Sequence, residues 1–416
     1  RDEAATTRLR ALKTTIIHEN IEWPEQRQLA LAAVSQRLDQ LERYLLGIHY
    51  IGEVPDFVND AVLSYGERLS SLVMTEVLRC HGIDAEEVLP EDMGLVTDGE
   101  YGNAACDFSA CEGSVAARLQ ADRIFLVPGF YGVSREGRAT LFGRGGSDYS
   151  AAAIARCVGA DSLDVWKDVD GFLSSDPGQV DTPVHIRHLN YLEAAELSYF
   201  GAKILHPRTV EPLFDRNIPI RILNINKLDR GLVPFTVIDG AHSIAEGIVK
   251  SVTSSDDIGI LKLHGPGVGF KGGILARVTG TLDARGINIK SVLTAQTAID
   301  VLLARNDLEP AWQALREHHL PGVVDVTMID DISIVAVVGD GVLDASGYGS
   351  GIAARTLSAA VDAGVRVALA GAGASEVAMY LIVRRDDRAR AVRIIHQEFF
   401  GSVAGDGQPA VNDRQK

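Results

Sequence analysis

Residues 141–155 read "LFGRGGSDYSAAAIA". An apolar pair leads into Gly143, Arg144, Gly145 and Gly146, and a Ser-Asp pair then opens a run of small apolar residues. The order is strand, turn, helix. Bare glycines at a helix start leave backbone N–H groups facing outward, which makes an anion cradle. Ser147 or Asp148 acting only as an N-cap fits the same residues. The stretch is not a Walker A loop, which needs Gly-Lys-Ser/Thr after four spacer residues.

Around this stretch the chain alternates short apolar runs with helical ones. "RIFLVPGF" reads as a strand, "SDYSAAAIARCVGA" as a helix, "SLDVW" as a strand, "LEAAELSYFGAKIL" as a helix and "IPIRILN" as a strand. Such alternation predicts an α/β, three-layer αβα domain around a mostly parallel sheet, with ligands at the carboxyl ends of strands. Gly129 and the loop after Trp166 fall at such ends. Upstream, apolar residues recur at helical spacing: Leu9, Leu12, Ile16 and Ile17, then Leu29, Leu31, Val34, Leu38, Leu41 and Leu45. Two amphipathic helices broken near Pro24 follow from that pattern, and a third helix is expected over 57–81.

After about Ala241 the pattern changes. "GGILARVTGTLDARGINIKSVL", from Gly272, and "SGIAARTLSAAVDAGVRVALAG", from Ser350, align so that Gly273/Gly351, Arg277/Arg355 and Gly286/Gly364 all lie 78 apart. This is an internal repeat. Each copy reads strand, Gly-rich turn, helix, strand, strand, helix, which predicts two ferredoxin-like βαββαβ domains with helices on one face of the sheet. An unpaired edge strand in such a unit invites a second copy, so an intramolecular pair of the two repeats or a dimer interface is expected there. The expected boundaries are 1–241 for the first domain, 242–328 and 329–402 for the repeats, and 403–416 for a polar, frayed tail.

Composition narrows the function. The 416 residues carry a formal charge of −16 and no strongly basic block, which argues against a nucleic-acid partner. No apolar stretch reaches membrane-spanning length. Cys80, Cys106, Cys111 and Cys157 lack CxxC spacing and disulfide-scaffold density, so they read as structural thiols in a reduced, cytoplasmic setting. A small-molecule function remains.

Other groups in the first domain have suitable chemistry. Glu67 and Arg68 follow Gly66, a costly residue within a helix unless something approaches closely. "VWKDVDGFLSSDP" sets Asp168, Asp170 and Asp176 after a strand, where nucleotide-bound Mg2+ could be met; a simple Asp-Gly turn and a Ser-Asp-Pro turn explain the same residues. Lys203 sits in "SYFGAKILHP"; a lone helical lysine is ordinarily solvated.

In order and spacing, "LLGIHYIGEVPDFVNDAVLSYGERLS", "LFGRGGSDYSAAAIA", "DVWKDVDGFLSSDP", "LEAAELSYFGAKILHPRTVEPL" and "IPIRILN" resemble the aspartokinases of the amino-acid kinase superfamily. The repeats are similar to their tandem ACT domains. The likeness covers nearly the whole chain, with "GRGGSD" and "FGAKxLHP" its most specific parts, and is nearest to the kinase half of aspartokinase–homoserine dehydrogenase fusions.

The resemblance implies ATP-dependent phosphorylation of the L-aspartate β-carboxylate, the entry step to lysine, threonine and methionine. Arg144 would pair with the substrate α-carboxylate, Glu67 with its α-ammonium, and Ser147 would help seat it. Asp148, as the catalytic residue, would organise cationic groups around the transferring phosphoryl. Gly145, Gly146, Lys167, Asp168 and Lys203 would face ATP. Mg2+ is implied by ATP and by no ligand motif, so no protein metal site is expected. In the repeats, the resemblance points to an amino-acid effector, lysine or threonine, at Gly267, Gly269, Gly273, Asn288, Ile289 and Gln296. Arg366 replaces Asn288 in the second copy, which suggests one effector-competent copy and one structural partner.

The likeness is uneven. The family's Lys-Phe-Gly-Gly-Thr-Ser segment does not occur before Gly47, so this polypeptide alone is expected to have little or no kinase activity. The family's Trp-Thr-Asp is here Trp166-Lys167-Asp168, its tyrosine is Leu173, and its Asp-Pro-Arg is Asp176-Pro177-Gly178. The substrate half of the pocket is better kept than the nucleotide half. The alternative reading is a catalytically inactive homologue that acts as an amino-acid-sensing regulatory subunit.

Overall fold

The computed structural model describes residues 3–202, 204–242, 248–269, 271–318, 320–343 and 348–401; Lys203 and the tail at 403–416 lie outside them. The chain divides into two compact units, Arg1–Asp170 with Leu205–Gly240, and Gly171–Ile204 with Ala241–Lys416.

In the first unit, α1 (Glu3–Asn20) and α2 (Pro24–Ile51) break at Pro24, which occupies the first turn of α2. There its missing N–H removes no helical bond. Ala30, Val34, Leu38 and Leu41 recur at helical spacing and bury against Ile17, Ile21 and residues of a later helix, including Leu69 and Leu72. Leu12 and Leu29, expected on that stripe, are instead 56% and 67% exposed. The expected helix over 57–81 is two helices, α3 (Asp56–Leu63) and α4 (Tyr65–Cys80), joined at Ser64. Gly66 lies in the first turn of α4, and a Cβ there would meet nothing within 4 Å, so close approach is not why glycine stands there.

The chain then runs through β1 (Ala85–Glu87), α5 (Pro90–Met93), α6 (Phe108–Arg118), β2 (Ile124–Leu126), β3 (Tyr131–Val133), β4 (Ala139–Leu141), α7 (Gly146–Val158) and β5 (Leu163–Lys167). After β6 (His188–Asn190) and α8 (Tyr191–Tyr199), which fall in the second unit, it returns with α9 (Glu211–Phe214), β7 (Ile220–Asn224) and β8 (Thr236–Asp239). β1 pairs with β2 and β5 with β7 in parallel; β3/β4 and β7/β8 are antiparallel. The parallel pairs carry the expected α/β character. Cys111 and Cys157 are buried in a core with Phe142 and Tyr149, and all four cysteines are free.

The second unit holds two sheets, built from β9 (Ser251–Ser255), β10 (Gly259–His264), α10 (Ile274–Asp283), β11 (Ile289–Thr294), β12 (Ala298–Leu303), α11 (Leu308–Glu317), β13 (Asp325–Ile329), β14 (Ile332–Val338), α12 (Tyr348–Asp362), β15 (Val367–Gly371), β16 (Ala378–Arg384) and α13 (Arg388–Phe400). The strand orders are β11-β12-β10-β13 and β15-β16-β14-β9. β9 therefore precedes the first repeat but completes the sheet of the second. The repeat shows in the backbone as well, because β11 carries a register shift between Ile289 and Ser291 and β15 carries one between Val367 and Leu369. Arg305 holds the crossing point: its guanidinium donates to the carbonyls of Asp256 (2.8 Å), Asp330 (2.5 Å) and Ile332 (3.1 Å). It thus ties the chain leaving β9 to the chain entering β14.

Gly171–Ile204, which the sequence reading keeps within 1–241, clusters with this unit because its polar groups are satisfied there. Ser175 Oγ donates to the Val252 carbonyl at 2.8 Å, and Glu193 pairs with Lys250 at 2.9 Å with both side chains buried.

Candidate functional site

The turn into α7 is glycine-rich for reasons of shape. Gly145 has φ 68°, and a Cβ there would lie 2.2 Å from Cβ of His206. At Gly146 it would lie 2.8 Å from Cδ2 of Phe130 and 3.1 Å from Cβ of Phe142. Left-handed φ and these close approaches both require glycine. Phe130 itself has φ 76°, unusual for a side-chain-bearing residue. Its N–H donates to Ser150 Oγ (3.1 Å), whose hydroxyl donates to the Ser147 carbonyl (2.9 Å), so the loop after β2 is bonded to the first turn of α7.

Charged groups gather at this helix start. Lys167, the last residue of β5, donates to Asp148 Oδ2 at 3.3 Å, with the two side chains 28% and 25% exposed. Asp148 in the first turn is favoured by the helix dipole. Arg144 and Ser147 are exposed, and among the described residues Arg144 makes no hydrogen bond or ion pair. His206 covers Gly145 and is held below the ordinary histidine pKa by burial first, then by the Arg208 charge, with Asp148 opposing and Arg144 adding to the shift. The imidazole is therefore neutral at neutral pH. Arg208 is fully engaged: it donates to the carbonyls of Phe142 (2.9 Å) and Ala104 (2.8 Å) and lies 4.6 Å over the Tyr149 ring.

The arrangement can bind an anion. Arg144 offers a fork without a carboxylate, Lys167 a cation already oriented by Asp148, and the helix start N–H groups without intrahelical acceptors. Asp148 is also a carboxylate fixed beside a place where a transferred group could sit.

The other expected site residues divide. Asp168 is exposed at the end of the same strand. Glu67 acts electrostatically on Lys13 of α1, whose ammonium burial drives below the usual lysine range while Glu67 opposes the shift. Among the described residues, no hydrogen bond or ion pair joins Glu67 to Arg144. Of the acidic trio, Asp170 accepts from Asn224 (2.6 Å) and pairs with Lys227, while Asp176 accepts the Gly178 N–H (2.8 Å) in a tight turn. No three-ligand cluster of His, Cys, Asp or Glu able to hold a metal occurs among the described residues.

In the second unit, Gly269 donates its N–H to the Gln296 carbonyl at 2.9 Å, and a Cβ there would lie 2.6 Å from that oxygen. Gly267 shares the turn, and Gly273, with φ 84°, caps α10. Asn288 and Ile289 lie at the start of β11 and Gln296 lies past its far end, with the strand alone spanning about 17 Å at ~3.4 Å per residue. The six residues therefore form two groups. In the second copy, Arg366, aligned with Asn288, is tied to Asp387 at 3.0 Å.

Sequence reasoning missed three supports of the first site. His206 and Arg208 follow Lys203 in the quoted "LEAAELSYFGAKILHPRTVEPL" stretch, and the paired signal is a histidine and an arginine either side of a helix-starting proline. Asp60, 1% exposed, accepts the N–H groups of Gly102 and Leu141, both at 2.8 Å, and gave no local signal.

Residues 5–224 match the amino acid kinase family, and residues 253–317 and 335–399 each match ACT domains. The chain is 32% identical over 382 residues to a bifunctional aspartokinase/homoserine dehydrogenase of Haemophilus influenzae, covering 89% of this chain and 46% of that protein. It is 29% identical over 382 residues to a chloroplastic aspartokinase 3 of Arabidopsis thaliana, covering 89% and 66%. The chain thus spans about half of the bifunctional relative. Among solved structures, Escherichia coli aspartokinase III in complex with aspartate and ADP superposes with TM-score 0.73 at 23% identity, over 94% of this chain and 91% of that one. That likeness establishes the fold. No helix among the described residues is long and apolar enough to cross a membrane.

Proposed function

We propose an aspartate kinase, on the premise that the chain belongs to the amino acid kinase family and carries two ACT domains. The β-carboxylate oxygen of L-aspartate attacks the γ-phosphorus of ATP, the bond to the β-phosphate oxygen breaks, and 4-phospho-L-aspartate and ADP leave. The observation that carries this reading is the unpartnered Arg144 beside the Asp148–Lys167 pair at the start of α7. Arg144 binds the α-carboxylate, and Ser147 seats the substrate. Glu67 is assigned the α-ammonium, in competition with Lys13.

Phosphoryl transfer is mostly positioning and charge neutralisation. Lys167 and the α7 amides neutralise charge growing on the phosphoryl oxygens, while Asp148 fixes Lys167. Asp168 stands at the nucleotide side, and Lys203 is assigned there by resemblance alone. Mg2+ would be carried by the nucleotide phosphates, and no step is assigned to it. The ACT domains take lysine or threonine as effector and pair two chains into a homodimer, in a cytoplasmic setting. The relatives matched over most of the chain are named aspartokinases, which does not favour a non-catalytic sensor.

An aspartate- and ATP-dependent hydroxamate assay tests the reading, run with the family's Lys-Phe-Gly-Gly-Thr-Ser segment supplied ahead of this polypeptide. Arg144→Ala is expected to raise the aspartate KM about tenfold or more, the effect of losing a charge-assisted pair, with ATP KM little changed. An unaltered aspartate KM removes Arg144 from the site, and a folded protein that carries that segment yet shows no aspartate-dependent turnover overturns the reading.

A further inference from the structure

A cavity of about 720 Å3 opens in the first unit between α2, the α3–α4 pair and the β3–β4 turn. It is separate from the Arg144 loop, none of whose residues line it. Its walls hold three arginines, Arg43, Arg68 and Arg138, and three aromatic rings, Tyr44, Phe57 and Tyr65.

The arginines are not equivalent. Arg68 is committed to the protein, bonded to Ser64 Oγ (2.9 Å) and Glu91 (2.6 Å) and lying 4.4 Å over the Tyr131 ring. Arg43 and Arg138 are exposed, and neither pairs with a carboxylate among the described residues. Arg138 is nevertheless oriented, since its guanidinium lies 4.5 Å over the Phe57 ring. Tyr44 is 38% exposed and meets Tyr65 edge-on at 6.2 Å, which leaves a face of its ring open. Glu91, the acidic group in the lining, is occupied by Arg68 and by the Tyr131 hydroxyl at 3.1 Å.

Two guanidiniums without an ion pair among the described residues, Arg43 from α2 and Arg138 from the β3–β4 turn, line this cavity together with the half-exposed Tyr44 ring, and such a lining suits an anion that carries a flat ring. Planar forks recognise carboxylates and phosphates, and rings stack on tyrosine and on guanidinium faces. The volume lies in the ligand-site range of about 300–1,000 Å3, with room for a molecule of nucleotide size. We propose that this cavity is a binding site for a small planar anion, a nucleoside monophosphate or an aromatic carboxylate, held by Arg43 and Arg138 and stacked on Tyr44. The site also has a route to the candidate catalytic loop. Ala139 lines the cavity and begins β4, and β4 ends at Leu141, next to Phe142 against which Gly146 packs.

Titration calorimetry on the whole chain tests this with AMP, phenylpyruvate and inorganic phosphate in separate arms. Binding of AMP assigns the phosphorylated class, and binding of phenylpyruvate the carboxylate class. In either case the Arg43→Ala/Arg138→Ala double variant, both side chains at the surface, weakens binding about tenfold or more, and Tyr44→Leu weakens the ringed ligand. Lys167→Met, in the proposed nucleotide site, leaves that affinity unchanged. Three results overturn the proposal: no binding of either ringed probe, inorganic phosphate binding as tightly as AMP, or a loss in Lys167→Met that the arginine variant does not share. None of them depends on whether the chain phosphorylates aspartate.

Discussion

Each unit contains a lysine–carboxylate pair, and the two pairs contrast in burial and in the number of bonds around them. Lys250–Glu193 is 4% and 0% exposed at 2.9 Å. Glu193 Oε2 also accepts the Asn190 N–H (2.7 Å), Oε1 accepts the Asp340 N–H (2.7 Å), and Lys250 donates to the His188 carbonyl (3.2 Å). Lys167–Asp148 is 28% and 25% exposed at 3.3 Å, with a single bond among the described residues. A pair that is dry and fully bonded fixes a fold. A pair that is part wet and underbonded keeps capacity for a ligand, and that capacity is why the second is proposed as part of the active site.

Breaking the dry pair gives the largest effect. Lys250→Met leaves Glu193 buried without its cation, which costs about 3–5 kcal/mol. Chemical unfolding should show that loss. A change below about 1 kcal/mol would mean water reaches Glu193 and the contrast between the two pairs is not one of burial.

Lys167→Met sharpens the same comparison from the other side. Its partner is solvated enough to stand alone, so stability should change by less than about 1 kcal/mol. Turnover should fall about 10–100-fold through loss of phosphoryl charge neutralisation, read as kcat in the hydroxamate assay with aspartate KM little changed. A large loss of stability with kcat preserved would reverse the roles assigned to the two pairs.

How much of this could be read in the sequence depends on how local the signal was. The "GRGGSD" turn, the helices on either side of Pro24 and the 78-residue repeat are local patterns, and each has its element in the fold. The break at Ser64 was hidden because α3 and α4 share one apolar period across it. β9 was invisible as a member of the second sheet, since its partner β14 lies some eighty residues later and strand pairing leaves no trace in local composition. The site divides similarly. Asp148 and Lys167 stand in recognisable stretches, but their pairing, the His206 ring on Gly145 and the two amides held by Asp60 are long-range contacts. The effector candidates follow one another along the chain, and the length of β11 separates them in space.

The smallest predicted effect concerns pH and a second buried group in the unit that holds the dry pair. His396, 5% exposed on α13, has Nε2 2.8 Å from Ser174 Oγ, and its ring stacks on Phe400 at 4.5 Å. Ser174 Oγ also accepts the Val184 N–H at 2.7 Å and keeps its own hydrogen available to the Nε2 of a neutral imidazole. Burial holds the pKa below the ordinary 6.5. The unfolded chain therefore binds the proton more readily, so the stability from a neutral His396 is complete above about pH 6.5 and is lost as pH falls through the lower folded value. Unfolding midpoints at pH 7.5 and 5.5 should therefore differ less in His396→Phe than in the parent, even though the variant loses the serine's acceptor and starts less stable. An equal difference in both would leave His206, lowered for the same primary reason in the other unit, as the group that sets the acid limit.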